Sequence, residues 1–134
     1  MTSAKEEAER LVNAVLPVAK QMLREQGEFS PYGGYMRRDG SIVQVGRDDR
    51  ATSIEMLRLE LRECVARNEA KAVTIVFPAR VTPPGTGHAS DAIAVLVQHR
   101  ESYCAELFFP YRLKGGDLNF GQVFAQTCGT QILG

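Results

Sequence analysis

Cys104, His99 and Glu106 are the residues of this sequence whose types and spacing come nearest to chemistry. A thiol beside an imidazole that a carboxylate orients is the arrangement that activates a sulfur nucleophile. The residues lie in two runs rich in β-branched and aromatic side chains, within Asp91 to Leu113, the pattern of a β-hairpin. A two-residue loop at Glu101-Ser102 sets Arg100 opposite Tyr103 and His99 opposite Cys104, with Glu106 next on the same face. The same register sets Val95 opposite Phe108 and Leu96 opposite Leu107. Two considerations weigh against catalysis. A hairpin tip is exposed and brings no oxyanion hole, and cysteine is a common small core residue. These three residues therefore stand as weak catalytic candidates, and the sequence leans away from an enzyme.

The run Pro83-Pro84-Gly85-Thr86-Gly87-His88 superficially suggests a phosphate-binding loop. Such a loop needs Gly-x-x-x-x-Gly-Lys-Ser/Thr between a strand and a helix. Here Thr82 stands at the first Gly, His88 at the Lys and Ala89 at the hydroxyl position. A strand follows, so no helix N-terminus is offered to an anion. The sequence predicts a loop between strands.

A third candidate is the stretch Tyr32-Gly33-Gly34-Tyr35, with Arg37 two residues on. Paired glycines between tyrosines leave room for a ligand or for a backbone to approach closely, and the second is the more common use. As a ligand site, Tyr32, Tyr35 and Arg37 would line a pocket between the sheet and the first helix, together with His99 and Cys104. Neither His88, His99 nor the three cysteines fall at zinc-ligand spacing, so no metal and no cofactor are implied. Arg37, Arg38, Arg47 and Arg50 are interleaved with Asp39, Asp48 and Asp49, the pattern of a solvated, ion-paired face.

The elements that must position these residues follow from periodicity. Residues 3 to 26 read as a helix with a Ser3/Glu6 capping box, an apolar stripe through Ala8, Leu11, Val12, Val15, Leu16, Ala19, Met22 and Leu23, and Gly27 as its stop. Pro17 predicts a kink there or a split into two helices. Asp39-Gly40 predicts a type I′ hairpin over 32–46, pairing Met36 with Val43 and Gly34 with Val45 on a buried face. Residues 53 to 68 read as a second helix, with Thr52 and Glu55 as its capping box and Ile54, Leu57, Leu61, Cys64 and Val65 facing inward. Met56 and Leu59 fall on its outer face. Ala72 to Arg80 reads as a strand that ends or becomes an edge at Pro78. The run Ala92 to Val97 is apolar at every position and so reads as a strand covered on both sides. Asn119 to Thr127 reads as a poorer last strand, and 129–134 as a loose tail.

The expectation is one α+β domain over 1–134, in the order α-β-β-α-β-β-β(-β). It is an antiparallel sheet of five to six strands with two helices packed on one face. That order resembles many small bacterial single-domain α+β proteins, an analogy of fold that carries no function.

Composition narrows the function. Lys plus Arg and Asp plus Glu each number 16, so the chain has no net charge and no footprint for nucleic acid or an anionic membrane. No apolar run approaches the ~18 residues that span a bilayer, and no signal peptide is evident. An odd count of three widely spaced cysteines reads as reduced thiols in a cytoplasmic protein. The sequence therefore predicts a small cytoplasmic protein-interaction module, partnered by another protein or by itself as a homodimer. Met56, Leu59, Phe109 and Tyr111 are its interface candidates. The competing expectation is a small-molecule or thiol-dependent pocket between the sheet and the first helix.

Overall fold

The computed structural model describes residues 3–46, 53–101, 103–115, 117–126, 128 and 132. Its elements run α1 (Ala4–Gln26), β1 (Tyr32–Arg37), β2 (Ile42–Val45), α2 (Ile54–Ala66), β3 (Ala70–Val81), β4 (Ser90–His99), β5 (Tyr103–Lys114), β6 (Asp117–Phe120) and β7 (Phe124–Gln126). The fold is α+β. Its antiparallel sheet has seven strands in the order β2-β1-β3-β4-β5-β6, with β7 also on β5. The count exceeds the predicted five to six because the last predicted strand is two short ones. β6 pairs with Tyr111 to Lys114, and β7 with Glu106 to Phe108, along one edge of β5.

Ser3 caps α1 by accepting the Glu6 N–H, and Gly27 ends it with φ +78°, bonding back to the Leu23 carbonyl. The helix runs through Pro17 as one element. Tyr32 explains how one of the neighbouring turns is held. Its hydroxyl donates to the Val15 carbonyl at 2.5 Å and accepts the Ala19 N–H at 3.0 Å, bridging an i→i−4 pair beside the proline. α2 is capped by Ser53, whose side chain accepts the Met56 N–H; the predicted cap, Thr52, lies outside the described residues.

The two helices lie on opposite faces of the sheet, which corrects the expectation that both cover one. α1 packs over Tyr32, Met36, Ala72, Val76, Ile93, Val95 and Val97. α2 packs over Ala70, Val73, Ile75 and Leu96. The adjacent glycines show the same division: a Cβ on Gly34 would meet Val15 of α1, and one on Gly33 would meet Leu61 of α2. The physical reason lies in the connections. β2 and β3 run parallel on either side of β1, so α2 is a crossover, and the strong preference for one hand leaves it one face. β4 shows the need for both layers, since Ala92 to Val97 are all buried.

Both hairpins carry three-residue loops where two were expected, which shifts each register by one. In the first, Arg37 donates its N–H to Ser41, Gly40 donates to Arg37, and Gly40 has φ +93°. This is the type I turn closed by a glycine bulge, the next most common hairpin after the I′ form. Tyr35 therefore opposes Val43 and Met36 opposes Ile42. In the second, His99 opposes Tyr103 and Gln98 opposes Cys104. Because side chains alternate between faces, a slip of one sends every partner to the other side. Pro78 lies beyond the last residue of β3 that β1 pairs, so β3 is an edge there, as expected.

Of the stretch 129–134, expected as a loose tail, only Ile132 lies among the described residues. It is 1 % exposed within the α2 cluster, and its carbonyl accepts from Arg62 Nε at 2.7 Å.

Candidate functional site

The shifted register separates the residues with catalytic potential. His99 is buried on the α1 face, whereas Cys104 and Glu106 alternate onto the other. Cys104 is joined to Cys128 in a disulfide with Cα atoms 5.8 Å apart, inside the usual span. Neither sulfur is then a nucleophile, which also corrects the expectation of reduced thiols. Cys64 is free but buried, and burial pushes its thiol up, the opposite of activation.

His99 has both ring nitrogens engaged. Nδ1 accepts the Glu101 N–H at 3.1 Å, so Nε2 carries the proton and donates it to Glu7 at 3.1 Å. Glu7 is also paired with Lys71, and that hydrogen-bonded ammonium, against the opposing effect of burial, holds its carboxyl below the usual value. A bulge between Ala70 and Ala72 is what lets Lys71 reach the α1 side. The cluster clamps the start of α1 to the ends of β3 and β4. No lone pair or donor is left on His99 for a substrate.

Tyr32, Tyr35 and Arg37 do not share a site. Tyr32 is 1 % exposed and committed to α1, Tyr35 packs on the α2 side, and Arg37 is exposed at the end of β1. The paired glycines serve close backbone approach. A Cβ on Gly33 would stand 2.6 Å from the Thr74 carbonyl oxygen, and one on Gly34 3.0 Å from that of Val43. The loop from Pro84 to His88 is exposed and is fastened to Pro83, Thr86 donating its hydroxyl to the Pro83 carbonyl at 2.9 Å.

The structure does open a cleft between α1 and the sheet, lined by other residues than those expected. α1 buries Ile93, Val95 and Val97 of β4 and covers β5 only in part. On β5 the same face is apolar at five alternating positions, Tyr103, Ala105, Leu107, Phe109 and Tyr111, and each is only half-buried. A cavity of about 280 Å³ lies over this strip. Its floor is Val97, Tyr103, Leu107 and Phe109; its wall is Ala8, Glu9, Val12 and Asn13 of α1. Further along, Tyr111 packs edge-on to Phe120, and Lys20 of α1 sits 4.9 Å over the Phe120 ring. Burial and then Asp91 push the Tyr111 phenol up, so it stays a neutral donor.

A larger groove of about 770 Å³ runs between the 83–89 loop and β5–β6. Arg80, His88, Arg112 and Lys114 on it are all exposed, and Arg80 is already paired with Asp91. Its charged side chains all face solvent, so the α1–β5 cleft, with its apolar floor, is the better site.

No protein-family model, curated protein or solved structure matches this chain. The functional reading therefore rests on geometry. Phe109 and Tyr111 lie on the strip, as their place on one side of the strand predicts. Met56 and Leu59 are 59 % and 60 % exposed on the outer face of α2. Among the described residues, no three His, Cys, Asp or Glu side chains gather as a metal would require, and no helix is long and apolar enough to cross a membrane. The sequence missed Glu9, Asn13, Val97 and Leu107 as lining residues. The alternation along β5 was the available signal for Leu107.

Proposed function

We propose that this chain is a non-catalytic protein-interaction module that receives a partner's amphipathic helix on the half-buried β5 strip beside α1. One observation carries the proposal: the change from fully buried Ile93, Val95 and Val97 on β4 to five half-buried apolar residues on β5. Strands stand ~4.8 Å apart and a helix is ~10 Å across, so one helix covers about two strands. α1 covers β5 only in part, and a partner's helix would complete the cover of that strip. An amphipathic helix laid into an apolar groove is a common mode of recognition. Phe109 and Tyr111 are the anchors of this reading, aromatic residues being favoured where binding energy concentrates. Balanced charge supports a protein partner over nucleic acid, and it places no repulsion between two copies of the chain. Met56 and Leu59 form a smaller second contact. A cytoplasmic setting is not part of the proposal, because the Cys104–Cys128 disulfide is a bond that cytosolic reductants remove.

The test places a photo-crosslinking phenylalanine analogue at position 109 and irradiates the protein in host lysate. One dominant adduct, lost when Leu107→Lys is added, is the expected result. An adduct of twice the chain's mass would identify self-association. No adduct from position 109, with a monomer at every concentration in sedimentation, would end this reading.

A further inference from the structure

We propose that the 280 Å³ cavity over β5 is an anchor pocket for an apolar-stemmed cation, an arginine or lysine side chain of the docking partner. The inference rests on the docking reading above and names the chemistry of what docks.

Three features of the cavity point the same way. Its size is about nine times the ~30 Å³ that a water occupies in the liquid, which suits one long side chain. Val12, Val97 and Leu107 offer apolar walls to an alkyl stem. Tyr103 and Phe109 bring two aromatic rings to the floor, and ring faces attract a guanidinium or ammonium. Among the described residues lining the cavity, Glu9 is the one charged side chain, and Asn13 and Tyr103 carry acceptor oxygens. A carboxylate can take a guanidinium through two parallel hydrogen bonds, which an alcohol or an anion cannot reproduce. Long basic side chains bury their stems while keeping the charged head at the rim. An anionic head would meet the Glu9 carboxylate with no compensating cation in the lining.

The inference is tested on the intact chain with four short probes, n-butylguanidinium, n-pentylammonium, pentan-1-ol and pentanoate, followed by amide chemical-shift titration. The two cations are expected to shift the amides of Ala8, Val97 and Leu107, with affinities at least about tenfold above that of pentanoate, or ~1.4 kcal/mol. Glu9 is exposed on α1, so Glu9→Lys is expected to fold normally and to reverse the order in favour of pentanoate. Pentanoate binding as well as the cations, an order unchanged by Glu9→Lys, or no shift at these amides with any probe would each overturn the proposal. The two readings fail separately. A position-109 adduct without cation preference refutes the anchor and leaves the docking surface standing, whereas no adduct removes the docking surface itself.

Discussion

Replacing Tyr32 by Phe removes one oxygen and tests how α1 is fastened to the sheet. The hydroxyl is buried and makes two bonds to backbone, donating to the Val15 carbonyl at 2.5 Å and accepting from the Ala19 N–H at 3.0 Å. Val15 and Ala19 flank Pro17, which already denies the Asn13 carbonyl its helical partner. If the helix cannot close when the oxygen is lost, two backbone groups are left without partners in the core, at ~1–3 kcal/mol each. If the turn tightens so that Ala19 bonds Val15 directly, the loss falls to the net worth of the missing bonds, ~1 kcal/mol apiece. The expected loss is therefore ~2–6 kcal/mol, read as a lower urea midpoint at unchanged slope. Hydrogen exchange at Ala19 separates the two routes, because only an unclosed turn leaves that amide unprotected. Tyr35→Phe is the control: that ring is half-buried on the other face, and its loss is expected to stay below ~0.5 kcal/mol. A Tyr32→Phe protein as stable as the parent, with Ala19 equally protected, would refute the account of Tyr32 as the bridge across this turn.

The Glu7 clamp predicts a pH dependence. Its carboxyl is held below the ordinary value, first by Lys71, so its contribution is complete above the ordinary carboxylate pKa of ~4.3 and is lost as pH falls through the lower folded value. Glu7→Gln should cost ~1–3 kcal/mol at pH 7 and lose less than the parent between pH 5 and 3, measured by urea unfolding at each pH. Cutting the Cys104–Cys128 bond by Cys104→Ser opens a loop with a sequence separation of 24, worth up to ~3.5 kcal/mol in the chain-entropy model, and a matching loss on adding reductant to the parent is the check. Gly33→Ala should destabilise more than Gly34→Ala, since its Cβ would press at 2.6 Å on the Thr74 carbonyl, a backbone atom flanked by paired strands; thermal melts that reverse the order would contradict the packing described.

The legible part of the fold was carried by long, periodic segments. The stripe from Ala8 to Leu23 and the stop at Gly27 gave α1 to within a residue, and the inward set from Ile54 to Val65 gave α2. The unbroken run Ala92 to Val97 signalled cover on both faces, and it contradicted a sheet with both helices on one side; the conflict was visible before any coordinates. The registers were not legible. Asp39-Gly40 fits a two-residue I′ turn and the glycine end of a three-residue loop equally well, and Glu101-Ser102 carries no glycine to decide. One residue in a turn then decides whether His99 faces Cys104 or Tyr103, and with it whether a thiol site exists.

The cleft was hidden for a different reason. Alternation along β5 shows that Tyr103, Leu107 and Phe109 face one way, but nothing in a strand's own sequence says how far a helix from elsewhere will extend across it. Coverage is set by where α1 lies, and that position is fixed at its two ends by contacts far apart in the chain: Glu7 with Lys71 and His99, and Lys20 over Phe120. Between those ends, Tyr32 and Gly34 hold the helix against β1. The same contacts that make α1 secure leave the apolar face of β5 only half-buried. An apolar half-face kept open by buried, specific fastenings is a structural feature in its own right. It is the physical ground for treating the β5 strip as a docking surface and not as an unfilled part of the core.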